Sequence, residues 1–174
     1  MGLRLSKIKN IPKKHNKFIT AIRGLLEHRA AWLYLLLDEA EKRDISTEEF
    51  ARSAIMRCGC FQGSQLSAKA GTKSLKGLKK TLFTMPARMV FEMKILECTD
   101  DRLEINFHYC PLVAAWQVQG ASDEQIARLC DIAMQGDRGI ANSFGCELEL
   151  GQTIAQGNEK CEVRFKRRNR SHVA

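Results

Sequence analysis

The chain has 174 residues, of which 44% are apolar and 28% are charged. These values are typical of one globular domain and exclude a disordered or collagen-like chain. The longest apolar run, at 32–37, is much shorter than the ~20 residues that cross a bilayer, so no transmembrane helix is predicted. The N-terminus lacks the apolar stretch of a secretory signal, and seven cysteines are an odd number. Together these features predict a cytoplasmic protein with reduced thiols.

Positive charge is concentrated at residues 4–17, at 69–80 and at the C-terminal end of the chain, whose formal net charge is +8. Such clusters can bind phosphate backbones, but these lack the interleaved aromatic residues on which single-stranded bases stack. We therefore interpret them as two solvated ends and a loop, and keep nucleic-acid binding only as a third alternative. The predicted division is a basic, mobile arm at 1–15, one domain at 16–168 and a basic tail at 169–174.

The N-terminal half has the periodicity of helices. Apolar residues at steps of three and four predict one long helix over about 16–42. A capping-box pattern at Ser46 predicts the start of a second helix, for which Gly59 is the expected stop. Residues 62–74 are rich in Gly and Ser and are typical of a loop, and three leucines predict a short helix at 75–82.

The pattern changes near Arg88 from a helical period to alternation, which is typical of strands. Ser122 is the expected start of a later helix at 123–142, after a shorter helical stretch at 112–118. This order predicts an α+β fold, in which N-terminal helices pack with a C-terminal ββαββ antiparallel sheet. The predicted strands lie at 88–97, 102–110, 146–154 and 160–167.

Two residues near the end of the second predicted strand could carry chemistry. On a strand, His108 and Cys110 would point to the same face, since residues two apart do so. An imidazole beside a thiol can lower the pKa of that thiol and produce a nucleophilic thiolate. The alternative is that this face is simply exposed to solvent.

The later helix offers a second set of candidates. Cys130 and Asp137 are seven residues apart and share a helix face, so we expect Cys110, Cys130 and Asp137 to border one cavity between the sheet and this helix. Asp137 could act as a general base; the alternative is a surface carboxylate paired with a nearby Arg. The Cys58-x-Cys60 pattern has no second pair of ligands, and no nucleotide-binding glycine loop is present. The sequence therefore predicts no metal and no cofactor.

Three segments in order, at 107–112, 129–138 and 153–165, resemble the L-2-amino-thiazoline-4-carboxylic acid hydrolase family. The upstream stretch from the long helix to Gly59 is also similar to that family. The resemblance implies an enzyme that opens a cyclic 2-aminothiazoline to a carbamoyl-cysteine, on the way to L-cysteine. It also implies a small-molecule substrate and no membrane partner, and it leaves a homo-oligomer open.

Two routes to ring opening remain at this point. In one, Cys110 attacks the substrate as a thiolate, supported by His108 and Cys130, and water resolves the adduct. In the other, Asp137 or Glu159 is the base for direct attack by water. Either Arg138 or Arg164 could bind the substrate carboxylate as a bidentate fork. The rival to both routes is a non-enzymatic module that senses a small ligand or a metal.

Overall fold

The computed structural model describes residues 6–168, so the predicted tail at 169–174 lies outside the described residues. The helices are α1 Lys17–Glu41, α2 Glu48–Ala70, α3 Leu75–Thr81, α4 Met85–Val90, α5 Pro111–Val118 and α6 Asp123–Ser143, with a 3-10 turn at Ile154–Gln156. The strands are β1 Met93–Cys98, β2 Arg102–Phe107, β3 Cys146–Leu150 and β4 Cys161–Arg167. No helix within 6–168 is long and apolar enough to cross a membrane.

The four strands form one antiparallel sheet in the order β1-β2-β4-β3, which confirms the α+β prediction. Phe107 of β2 lies opposite both Met93 of β1 and Cys161 of β4. Helix α6 packs against β3 and the 3-10 turn, and the core lies between this helix and the sheet. Its fully buried members include Leu103, Ile105 and Phe165 from the sheet and Ile126 and Ile132 from α6.

The two long N-terminal helices pack mainly against other helices, whereas α3 and α4 contact the sheet directly. α1 packs chiefly against α5 and α4, and α2 packs against α6. The expected start of α6 at Ser122 is confirmed, because the Ser122 hydroxyl accepts from the Gln125 backbone and the Gln125 side chain accepts from the Ser122 backbone. The box expected at Ser46 does not form. The N-cap of α2 is Thr47, whose hydroxyl donates to Glu41.

The predicted end of the second helix at Gly59 is wrong, and the loop predicted at 62–74 begins only at Gly71. α2 continues to Ala70 and ends at Gly71, whose φ of 64° is the left-handed conformation that glycine adopts easily. Gly59 and Gly63 lie inside the helix because the backbone of α6 passes directly over them. A Cβ atom at Gly59 would collide with the carbonyl oxygen of Gly136.

The strand predicted at 88–97 is also wrong over its first five residues. Residues 85–90 form α4, which has a proline in its first turn. A turn with a φ of 50° at Glu92 leads from this helix into β1. β2 ends at Phe107 rather than at 110, because the backbone N–H groups of His108 and Tyr109 donate to the carbonyls of Glu92 and Phe91. β3 likewise ends at Leu150, four residues before its predicted end.

The described part of the arm, residues 6–15, makes contacts with the domain. Ile8 is buried, and its carbonyl accepts from the side chain of Gln117. The Ser6 hydroxyl donates to the carboxylate of Asp123 over 2.7 Å. The arm therefore contacts the C-terminal end of α5 and the N-terminal end of α6.

Candidate active site

Cys110 lies where the chain leaves the sheet and enters α5. It is the N-cap of that helix and Pro111 is the first helical residue. The backbone N–H groups of Leu112 and Val113 face its sulfur. Asn10 of the arm holds the Cys110 peptide on both sides, since its amide nitrogen donates to the carbonyl over 2.8 Å and its oxygen accepts from the N–H over 2.9 Å. The position of the thiol is thus fixed by α5 and by the arm.

The environment of Cys110 keeps its sulfur protonated at neutral pH. Burial raises the pKa of the Cys110 thiol, and the nearby carboxylate of Asp137 raises it further. The helix N–H groups of Leu112 and Val113 act in the opposite direction but do not prevail. A preformed thiolate needs a cationic neighbour or a dominant helix N-terminus. At Cys110 the effect of the helix N-terminus on the pKa is smaller than the effect of burial.

Asp137 of α6 supplies the carboxylate of the site. Burial raises its pKa to about 6, while Arg29 and Arg138 lower it. The residue as a whole is half-buried. A carboxylate with this pKa is ionised at neutral pH and is a stronger base than an ordinary aspartate, as general-base catalysis requires.

Two further thiols lie near Cys110. Cys130 of α6 and Cys161 of β4 both have raised pKa values, that of Cys161 to about 12, through burial and through their proximity to Cys110. The backbone N–H of Ile154 donates to the Cys161 sulfur over 3.3 Å. We call Cys110, Cys130, Asp137 and Cys161 the thiol–carboxylate cluster. Among residues 6–168 no group of three or more His, Cys, Asp or Glu side chains is arranged to hold a metal ion.

Cys110, Cys130 and Asp137 lie close enough to influence one another's pKa, whereas His108 points elsewhere, and the cavity that the three are expected to border stays a prediction. His108 is exposed in the bend after β2. The alternation that would align it with Cys110 stops at Phe107, since the chain there turns towards α5. Glu159 is also exposed, in the turn before β4.

Arg164 and Arg138, the two expected carboxylate-binding cations, lie in different places. Arg164 is on the face of β4 opposite to the buried Cys161, where it forms an ion pair with Glu104 over 3.1 Å and donates to Asn106 over 3.0 Å. Arg138 is on α6 beside Asp137, and donates to Asp131 over 3.2 Å. Arg138 is therefore near the cluster, and Arg164 is not.

Sequence reasoning missed two residues of this site. Arg29 belongs to an otherwise apolar row on α1, and nothing in the sequence connects it with Asp137, 108 positions further along the chain. Asn10 lies in the basic arm, which has no periodicity. Its pairing with Cys110 depends on how the arm packs, and no local pattern could reveal that.

The arrangement of helices and sheet defines an α+β fold that occurs in solved structures. One of them is a trafficking protein particle complex subunit 3 from Naegleria fowleri, covalently bound to palmitic acid, with a TM-score of 0.53. The two chains are 14% identical over 84% of this chain and 97% of that chain. At this identity the likeness shows a shared fold.

The sequence identifies the family. Residues 23–165 match the family model described as L-2-amino-thiazoline-4-carboxylic acid hydrolase, and the chain belongs to that family. No curated protein matches the chain significantly. The matched range includes all four residues of the thiol–carboxylate cluster and Arg29, whereas Asn10 precedes it.

Proposed function

We propose that this protein is a hydrolase that opens a small cyclic amidine-like substrate, with L-2-amino-thiazoline-4-carboxylate as the compound to test first. The observation that carries the proposal is a carboxylate with a pKa of about 6, Asp137, beside a fixed thiol, Cys110. Membership of a family named for this hydrolysis supports the choice of substrate.

The chemistry needs one base and one water molecule. Carbon 2 of the thiazoline is bonded to sulfur and to two nitrogens, so it is electrophilic. Asp137 takes a proton from water as the new carbon–oxygen bond forms at carbon 2. The bond from carbon 2 to the ring sulfur or ring nitrogen then breaks, and the leaving atom takes up a proton. One water is consumed and the product is a carbamoyl-cysteine.

The surroundings of Cys110 favour direct attack by water over attack by the thiol. Its pKa is raised rather than lowered, and the histidine expected to activate it, His108, is exposed on the surface. A protonated thiol is a poor nucleophile. In this proposal Cys110 shapes the site and donates a weak hydrogen bond, while Asp137 does the proton transfer.

Two cations beside Asp137 are available for the substrate carboxylate. Both Arg29 and Arg138 are close enough to lower the pKa of Asp137. A guanidinium can bind a carboxylate through two parallel hydrogen bonds, which fixes the substrate in place. We assign this role to Arg138, because Arg29 is exposed on α1, and Arg164 has no part in it.

The test compares two variants. Asp137→Asn should lower kcat on L-2-amino-thiazoline-4-carboxylate by about 10²–10⁴-fold, the usual contribution of a general base. Cys110→Ser should cost less than about tenfold, because a serine can also donate a hydrogen bond. Matched controls are Asp100→Asn, in an exposed ion pair with Lys76 away from the cluster, and Cys58→Ser on exposed α2 surface.

The same assay can contradict the proposal in two ways. If Cys110→Ser loses a thousandfold or more while Asp137→Asn remains active, the thiol is the nucleophile and the proposed roles are wrong. If the folded wild-type protein turns over neither this compound nor its close analogues, yet is stabilised by them against thermal unfolding, it is a binding module instead of an enzyme.

A further inference from the structure

Helix α1 has a second apolar face, which points to solvent. Phe18, Leu25, Trp32 and Leu36 are 60%, 73%, 61% and 66% exposed. Together with Ile22 and Arg29 they form what we call the outer stripe. The neighbouring face of α1, about 100° around the helix, is the one that packs on the domain, and its buried residues are Ile19, Arg23, Ala30 and Leu37. The helix is therefore apolar on two sides but covered on only one.

The spacing of the outer stripe is that of a coiled-coil seam. Its members follow one another at steps of four and three residues without a break, which places alternate members at the a and d positions of a heptad. A helix face that stays in water needs no regular spacing of apolar residues. A regular series of large apolar residues at a and d positions is the usual sign of a helix that pairs with another.

The seam is complementary to itself when two copies run antiparallel. In that orientation a residues meet d residues of the other copy, and the stripe is symmetric about its centre at residue 27. Phe18 then faces Leu36 of the second copy, and Ile22 faces Trp32. The polar member, Arg29, faces Leu25, against which its aliphatic stem can pack while its charged head stays in water.

Trp32 can be buried in such a contact without losing the hydrogen bond of its indole N–H. Its indole N–H donates to the Nε2 atom of His28 over 3.0 Å, and the two rings meet edge to face. Burying an indole costs free energy when its N–H loses a partner. Here the partner is on the same helix, so Trp32 presents apolar surface without leaving a polar group unsatisfied.

We propose that a second copy of this chain covers the outer stripe, through antiparallel pairing of the two α1 helices across a two-fold axis. With Leu35, the exposed apolar side chains of α1 offer roughly 600 Å² per copy, close to the ~800 Å² that each partner contributes to a standard interface. A contact that uses the same patch on both copies closes as a dimer and leaves no free patch to extend a filament.

Sedimentation equilibrium of the full-length protein tests the dimer. The wild-type chain should have the mass of two copies, and Leu25→Asp should raise the dimer dissociation constant by about 30-fold or more, as loss of a central apolar anchor does. Leu36→Asp is an independent second variant. Val118→Asp, at a position that is 83% exposed outside the stripe, is the control and should leave the dimer intact.

Cysteine cross-linking tests the orientation. In a Cys58→Ser background, the double variant Phe18→Cys/Leu36→Cys should form disulfide-linked dimers when copper–phenanthroline removes two electrons per bond. Neither single variant should do so in the antiparallel arrangement. Phe18→Cys alone would cross-link in a parallel pair, which would overturn the proposed register.

Other outcomes reject the proposal entirely. These are a wild-type chain that sediments as a monomer at its highest attainable concentration, a dimer that both α1 variants leave intact, and a monomer that floats with phosphatidylglycerol vesicles unless Leu25 is replaced. None of these measurements uses catalytic turnover, so they stand independently of the proposed function.

Discussion

The properties of Asp137 depend strongly on its surroundings. An aspartate in water has a pKa near 3.9, but burial in the thiol–carboxylate cluster raises that of Asp137 to about 6. The two nearby arginines restrain this shift, since both favour the charged form. With this pKa, the Asp137 side chain is ionised at neutral pH and still accepts a proton readily.

The pH profile of the reaction follows from this pKa. If Asp137 is the base, kcat/KM should rise about tenfold per pH unit below pH 6 and become level above it, because only the ionised carboxylate accepts a proton. Steady-state rates from pH 4.5 to 8 measure this, and Asp137→Asn should remove the ascending limb. A limb that persists in that variant belongs to another group and contradicts the assignment.

The stability of the same variant is a useful control. A folded-state pKa above the unfolded value of 3.8 means that the protonated form is favoured by folding. This contribution is full below pH 3.8 and is lost as the pH rises through about 6. Asp137→Asn should therefore be at least as stable as the wild type at pH 7, so that a lost rate cannot be ascribed to unfolding.

At the residue scale, the sequence predicts the site in part. The helical period aligns Cys130 with Asp137, and the Cys-Pro junction marks the start of α5. The proposed partnership of His108 with Cys110 fails because a strand period was continued past Phe107, where backbone hydrogen bonds to the end of α4 redirect the chain. Asn10 has no signal at all, since its role depends on contacts between segments 100 residues apart.

At the scale of elements, the crossing of α2 and α6 organises the helical layer. The two helices approach so closely that their glycines leave no room for side chains. A Cβ atom at Gly139 would be 2.5 Å from the Met56 carbonyl oxygen and 2.6 Å from the Cys60 nitrogen. These neighbours are backbone atoms and cannot move aside, as a flexible side chain would. An ion pair of 2.6 Å between Arg52 and Asp131 joins the same helices.

Gly139→Ala should therefore destabilise the protein, even though alanine is the better helix former. Overpacking of this kind typically costs about 1–3 kcal/mol, because the two helices must separate. The matched control is Gly24→Ala on α1, where an added Cβ meets nothing within 4 Å. That change should stabilise the protein by about 0.5–1 kcal/mol through helix propensity. Urea unfolding of both variants measures the difference, and equal effects would show that the close crossing is not rigid.

The same crossing explains why the sequence misplaces the end of α2. Glycine is unfavourable inside a helix by about 1 kcal/mol relative to alanine, so Gly59 is a reasonable stop on local grounds. Glycine is required at this position by the close approach of α6, nearly 80 residues later in the chain. Helix propensity, which is a local property, does not include that contact. The long helix α1 and the capping box of α6 are predicted correctly because their signals are local.

At the scale of the whole molecule, Glu92 joins parts of the chain that are distant in sequence. Its carboxylate accepts from the backbone N–H groups of Lys13 and Lys14 and forms an ion pair with Arg23 of α1 over 3.1 Å. The Arg23 and Glu92 side chains are only 6% and 5% exposed. The arm, α1 and the segment that leads to Cys110 therefore meet at one buried charge.

The Glu92 carboxylate is ionised in spite of its burial. Desolvation raises its pKa, but the two arm amides and Arg23 together outweigh desolvation and hold the pKa below 4.5. Its backbone φ of 50° is strained for a residue other than glycine, so the surrounding contacts must hold the residue in place. The arm and Arg23 supply those contacts. The ion pair between Arg23 and Glu92 therefore helps to hold the backbone at Glu92 in its observed conformation.

Replacing this carboxylate should weaken the whole fold. Glu92→Gln leaves the Arg23 charge buried without its partner, and such a change costs about 3 kcal/mol or more of unfolding free energy. Because the folded pKa of Glu92 is lowered, its contribution is present above its unfolded pKa and is lost as the pH falls through the folded value. The difference between wild type and Glu92→Gln in urea unfolding should thus be large at pH 7 and shrink below pH 4. Glu39→Gln, which breaks an exposed pair with Arg43, should barely change stability at either pH. If both variants behave alike, the buried pair does not hold the arm and α1 together.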